Sequence, residues 1–171
     1  MANNGKNLHG RERANYLVRE IGRRMGVKDA QLDGDDDRSF GDFGFHYDAT
    51  RDLLALRVFV AKSGLYLAKE EDKPWVYETA RALNDPRIGG MFETQGGHFI
   101  LDEKRSKYFL VKDFPVETAT PQDLWKRAGE MVNLAARWSM RWFGHVADIA
   151  HGNEPPPTHP ITLENDPYPR N

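Results

Sequence analysis

Residues 120–149 read TPQDLWKRAGEMVNLAARWSMRWFGHVADI, and this stretch decides the fold. Thr120 is placed to cap a helix and Pro121 suits its first position. Asp123 puts a carboxylate in the first turn, where it offsets the helix dipole. The larger apolar groups then fall at Leu124, Ala128, Met131, Ala135, Trp138, Trp142, Val146 and Ile149. Steps of three and four residues lay these along one stripe of a helix about seven or eight turns long. Two tryptophans one turn apart on that stripe need a cover, and the preceding sequence supplies a β-sheet.

The bulk properties set limits on what that fold can do. A chain of 171 residues is one domain of ordinary size, able to bury roughly 70% of its unfolded surface. Charged residues make up 29% and the net charge is −2, which favours neither nucleic acid nor an anionic membrane as partner. There is no cysteine, so disulfides, thiolate metal sites and a cysteine nucleophile are excluded. The N-terminal MANNGKNLHGRER lacks the apolar core of a signal peptide, and no apolar run approaches the roughly 20 residues of a membrane span. A cytoplasmic protein is expected.

Working toward the N-terminus, residues 1–10 are polar and expected to be flexible, ahead of a single α+β domain over residues 11–151. Ala14, Leu17, Val18, Ile21 and Met25 make one apolar face of a first helix, which Gly26 stops. Arg11, Arg13, Arg19, Arg23 and Arg24, with Glu12 and Glu20 among them, read as its solvated face. The acidic run Asp33, Asp35, Asp36, Asp37 begins like a calcium loop. The match breaks where Arg38 replaces the required glycine and Gly44 the bidentate glutamate, so a solvated acidic loop is expected.

Three strands are predicted next. Phe43, Phe45 and Tyr47 alternate, Leu53–Ala61 is nearly all apolar and reads as a central strand covered on both faces, and Leu65–Ala68 runs back. Pro74 opens a short helix with Trp75, Val76, Thr79, Ala80 and Leu83 on one face, ended by Asn84-Asp85-Pro86. After the glycine pairs 89–90 and 96–97, His98–Leu101 and Lys107–Lys112 pair across the turn Asp102–Ser106. Residues 152–171 hold six prolines and read as an extended tail, flexible unless it docks. The predicted order is α-βββ-α-ββ-α, an antiparallel sheet with three helices, plus the Pro-rich tail.

Catalytic signatures do not emerge from this order. No G-x-S-x-G elbow, P-loop or G-x-G-x-x-G cradle is present, and the glycines read as hinges. His145, Asp148 and His151 stand three residues apart and spread over about 120° of the helix, too wide for a tight metal face. No cofactor and no metal are expected.

The run from Trp75 to Val146 resembles the second half of type III secretion chaperones and of the related bacterial sensory-regulator-like domains. The matching residues are Leu83-Asn84, Phe99-Ile100-Leu101-Asp102, Phe109-Leu110-Val111, Phe114-Pro115-Val116 and the helix through Leu124, Met131, Ala135 and Trp138. The resemblance implies a homodimer, with Trp75, Val76, Thr79, Leu83 and Phe99 at the two-fold interface. It also implies that an extended segment of a partner protein, such as a secreted client, wraps the sheet and first helix. Leu17, Val18, Phe43, Phe45, Leu56 and Val58 are the candidate contacts, each of them equally a candidate for the core. It implies neither a catalytic residue nor a cofactor. The alternatives are a regulatory domain of the same fold with a folded partner, or a small-molecule site or enzyme built from His46, His98, Asp102 and Arg57.

Overall fold

The computed structural model describes Gly5 and residues 7–168; the remainder of the N-terminal segment, residues 1–4 and 6, lies outside the described residues. Helix α1 spans Gly10–Arg24 and α2 spans Lys73–Asn84. The third helix begins as α3, Pro121–Arg137, passes through a π-turn at Trp138–Trp142, and continues as α4, Phe143–Ala150. Strands β1 (Asp37–Ser39), β2 (Phe43–Asp48), β3 (Leu53–Lys62), β4 (His98–Asp102) and β5 (Lys107–Pro115) form one sheet in the order β1-β2-β3-β5-β4. The α+β architecture of three helices and an antiparallel sheet is the one the sequence predicts.

One strand differs from the sequence reading. Leu65–Leu67 forms a 3-10 turn, with Tyr66 84% and Leu67 86% exposed, whereas the acidic run feeds a short strand. Asp33 Oδ1 accepts the backbone N–H groups of Asp35 and Asp37 at 2.8 and 3.0 Å, which closes a turn leading into β1. The hydrogen bonds of the turn satisfy that carboxylate locally, as Asp side chains commonly do in loops. β1 then pairs antiparallel with β2, Arg38 opposite Phe45.

The chain divides into two compact units, Met1–Val58 with Lys112–Val132 and Phe59–Val111 with Asn133–Asn171. In the first, α1 buries Ala14, Leu17, Val18 and Ile21, and β2 buries Phe43, Phe45 and Tyr47. Phe43 and Phe45 pack edge to face at 5.8 Å, a favoured aromatic geometry. Asp48 Oδ1 accepts from the backbone of Thr50 and Arg51, closing the hairpin that sets β2 against β3 with Phe45 opposite Leu56. Arg13 leaves the solvated face expected of it: its guanidinium donates to the carbonyls of Val116 at 2.6 Å, Gly5 at 2.7 Å and Ala119 at 2.9 Å. Such charge-assisted bonds tie α1 to the segment entering α3.

In the second unit the tryptophans of the third helix meet the cover they require. Thr120 Oγ1 caps the helix by accepting the Asp123 N–H at 3.2 Å, as its sequence predicts. The whole stripe from Leu124 to Ile149 is buried. Trp138 and Trp142 bracket the π-turn, and both are buried. Their rings meet edge on at 5.6 Å, with Phe99 4.5 Å from Trp138 and Phe92 5.6 Å from Trp142.

Candidate protein-interaction site

The register of β4 and β5 sorts their side chains onto two faces. Phe99 lies opposite Leu110 and both are buried; Ile100 lies opposite Phe109 and both are partly exposed. Phe59, near the end of β3, is 40% exposed and sits edge on to Phe109 at 6.4 Å. Lys107 Nζ lies 5.6 Å from the centre of the Phe59 ring, a cation–π position. Phe59, Phe109 and Ile100 thus give the second unit an apolar strip on the solvent side of its strands. This corrects the reading of β3 as covered on both faces: β3 is central in strand order, but its Phe59 side is open.

A groove of about 450 Å³ runs between α2 and β4, lined by Tyr77, Leu83, Asn84, Phe99, Leu101 and Tyr108 among others. Asn84 Nδ2 donates to the Phe99 carbonyl at 2.8 Å, and Asn84 Oδ1 accepts the Phe99 N–H at 2.9 Å. One side chain so occupies both backbone groups of Phe99, as a neighbouring strand residue would. Burial raises the Tyr108 pKa to about 12, which keeps its hydroxyl protonated and donating to the Val76 carbonyl at 2.8 Å.

Leu17, Val18, Phe43, Phe45, Leu56 and Val58, the candidate partner contacts, all lie in the interior. Of the five candidate interface residues, Val76, Thr79, Leu83 and Phe99 are buried and Trp75 is 56% exposed. Leu83 and Phe99 come together in the groove, whereas Trp75 stacks on His151 at 3.5 Å and Thr79 lies 3.1 Å from His151 Nε2. His46 pairs with Asp37 at 2.7 Å, with Arg57 4.0 Å from the same oxygen; Asp102 pairs with Arg105, and His98 is exposed. His145 turns to Glu154 at 2.7 Å, away from the Trp75 and Thr79 environment of His151.

The tail docks on the second unit. Ile161 makes a parallel β-bridge with Phe92, its N–H donating to the Met91 carbonyl at 2.7 Å and its carbonyl accepting the Glu93 N–H at 2.8 Å. Further along, Asp166 Oδ2 accepts from Arg137 at 2.5 Å and from the Trp142 indole at 3.2 Å. Burial by itself would raise the Asp166 pKa. The Tyr168 N–H, Arg137 and Trp142 outweigh it and hold the carboxyl below its ordinary 3.8. A depressed carboxylate contributes stability that is fully present above its unfolded pKa and is lost as pH falls through the folded one. Acid titration should therefore leave the tail docked at neutral pH and loosen it only below pH 3.8. Trp142 fluorescence reads the release, and a change centred above pH 5 would show that another group controls docking.

No family profile matches this chain, and no curated protein sequence matches it. Among solved structures, a chain of the ExsC–ExsE complex superposes with a TM-score of 0.53 at 17% identity, covering 79% of this chain and 97% of that one. A chain of the HopA1–SchA chaperone–effector complex gives a TM-score of 0.48 at 19% identity, covering 75% and 94%. At this identity the first likeness shows the fold, and the α+β arrangement resembling the secretion chaperones is the one this chain has. Among the described residues no helix is long and apolar enough to cross a membrane.

Proposed function

We propose that this chain is a non-enzymatic, cytoplasmic protein-binding module that holds an extended segment of a partner protein and works as a homodimer. The observation that carries the reading is the apolar strip of Phe59, Phe109 and Ile100, offered by strands of a fold that a protein from a two-protein complex shares. An extended segment suits such a surface, because spaced side chains seat on apolar rings with little ordering of the receiving sheet. Leu17, Val18, Phe43, Phe45, Leu56 and Val58 belong to the interior, and Phe59, Phe109 and Ile100 take the contact. At the proposed two-fold interface, the exposed Trp75 ring is the contact, backed by Val76, Thr79, Leu83 and Phe99.

The test compares the full chain with a Phe59→Ser, Phe109→Ser double variant as baits in the native cell. The native chain should recover a partner through a segment that is unfolded alone. The variant should lose it while still melting in one cooperative transition, and Phe59→Ser alone, at the 40% exposed position, should weaken recovery with little change in melting. Recovery of the same partners by both baits, or of the chain alone, would overturn the reading.

A further inference from the structure

Residues 154–168 are bound much as a peptide ligand is bound. The segment has no helix of its own, leaves α4 through Gly152 at φ 76°, and among its residues Ile161 alone is fully buried. Its hold on the second unit has three parts. The Ile161 bridge to Phe92 is strand pairing, extended by the Leu163 N–H to Glu93 Oε2 at 3.0 Å. Arg137 and the Trp142 indole grip the Asp166 carboxylate, with Arg141 Nη1 4.0 Å from the same oxygen. Arg141 also donates to the Tyr168 carbonyl at 2.7 Å, and the Tyr168 ring stacks on His145 at 3.6 Å and lies parallel to Phe92 at 6.1 Å.

Backbone pairing, an arginine clamp on a carboxylate and an aromatic slot are the devices by which folded domains recognise extended peptides. Residues 155, 156, 158–160, 164, 165 and 167 are exposed, so the hold is local to the few residues between them. Its affinity gains from the tether, which sets an effective concentration on the order of millimolar.

We propose that the cleft formed by Met91–Glu93, Arg137, Arg141, Trp142 and His145 is a peptide-recognition site, with the chain's own Ile161–Tyr168 as its tethered occupant. The external occupant is an extended peptide of the same chemistry: an aliphatic residue, then an Asp-Pro-Tyr-like acidic and aromatic pair at the spacing of Ile161, Asp166 and Tyr168. Such a partner competes with the tail and frees it on binding. This site is distinct from the open strip on the strands, and the inference does not rest on that reading.

The probe is a fluorescein-labelled synthetic peptide of residues 158–168, followed by anisotropy against full-length chains. The Asp166→Ala, Tyr168→Ala variant has a weakened tail and an intact cleft. It should bind the probe at least about 10-fold more tightly than the native chain, because the tethered competitor is weakened. Adding Arg137→Ala should abolish that gain. In a second measurement, a protease site placed at the exposed Asn153 of the otherwise native chain is cut. The released segment should stay bound and exchange with the labelled peptide. A segment that never exchanges while the chain remains folded, or a double variant that melts normally and binds no probe, would overturn the proposal. Equal binding by native chain and double variant would overturn it as well, since the probe would then sit elsewhere.

Discussion

Replacing Trp138 by alanine is expected to cost about 3–5 kcal/mol of folding stability, the range of large aromatic truncations in cores. The ring is fully buried, touches Phe92, Phe99 and Trp142, and donates its indole N–H to the Glu93 carbonyl at 2.9 Å. Truncation removes the apolar contacts and leaves a part-buried acceptor without its donor at once. Domains of this size are stable by only about 5–15 kcal/mol, so the variant should sit near the limit of folding. Trp138→Phe keeps much of the packing and should cost clearly less. Denaturant titration of the two variants checks the ordering. A Trp138→Ala midpoint close to that of the native chain would mean that the ring is not the keystone of this unit.

The second large effect is expected at Gly89, a buried glycine beside the last turn of α2. A Cβ there would collide with the Leu83 carbonyl and lie 2.6 Å from the Leu83 Cα. These are backbone atoms, so no side-chain rotation relieves the clash. Either the loop moves out or the end of α2 unwinds, and α2 carries Asn84 and its two bonds to Phe99 with it. Gly89→Ala should therefore cost about 3 kcal/mol, at the upper end for overpacking. Gly90→Ala, whose Cβ would stand 3.2 Å from the Asp85 carbonyl, is the milder control. Equal melting of the two variants would refute the steric account.

The contrast between what the sequence revealed and what it hid has a physical origin. The third helix was legible residue by residue, because burial on one side of a helix imposes a period that survives even a π-turn. Thr120 and Pro121 marked its start for equally local reasons. The hairpin of β4 and β5 was legible through its turn, and the strands β2 and β3 through the alternation of Phe43, Phe45 and Tyr47 and the apolar run that follows. Strand β1 was hidden because its pairing is decided by β2, while its own Asp37-Arg38-Ser39 looks like any solvated loop. Leu65–Leu67 misled for the opposite reason: its apolar character suggested a strand that the backbone does not make.

The candidate site was less legible than the fold. Leu17, Phe43 and Phe59 are alike in composition, and only the three-dimensional arrangement makes the first two interior and the third exposed. Arg57, a charge inside a strand otherwise apolar up to its terminal Lys62, was the available hint that one side of β3 meets water. The docking of the tail had no local signal in a proline-rich run. Its decisive residues, Ile161, Asp166 and Tyr168, act only through partners at 91–93 and 137–145.

The pairing of Asn84 with Phe99 has a consequence for solubility. β4 ends the sheet, and a bare terminal strand is a template on which further chains can stack without limit. By filling both hydrogen-bonding positions of Phe99 with a single amide, the chain blocks that growth at the second residue of β4. Fibrous extension through this strand would first have to break two hydrogen bonds that the folded chain already makes with itself.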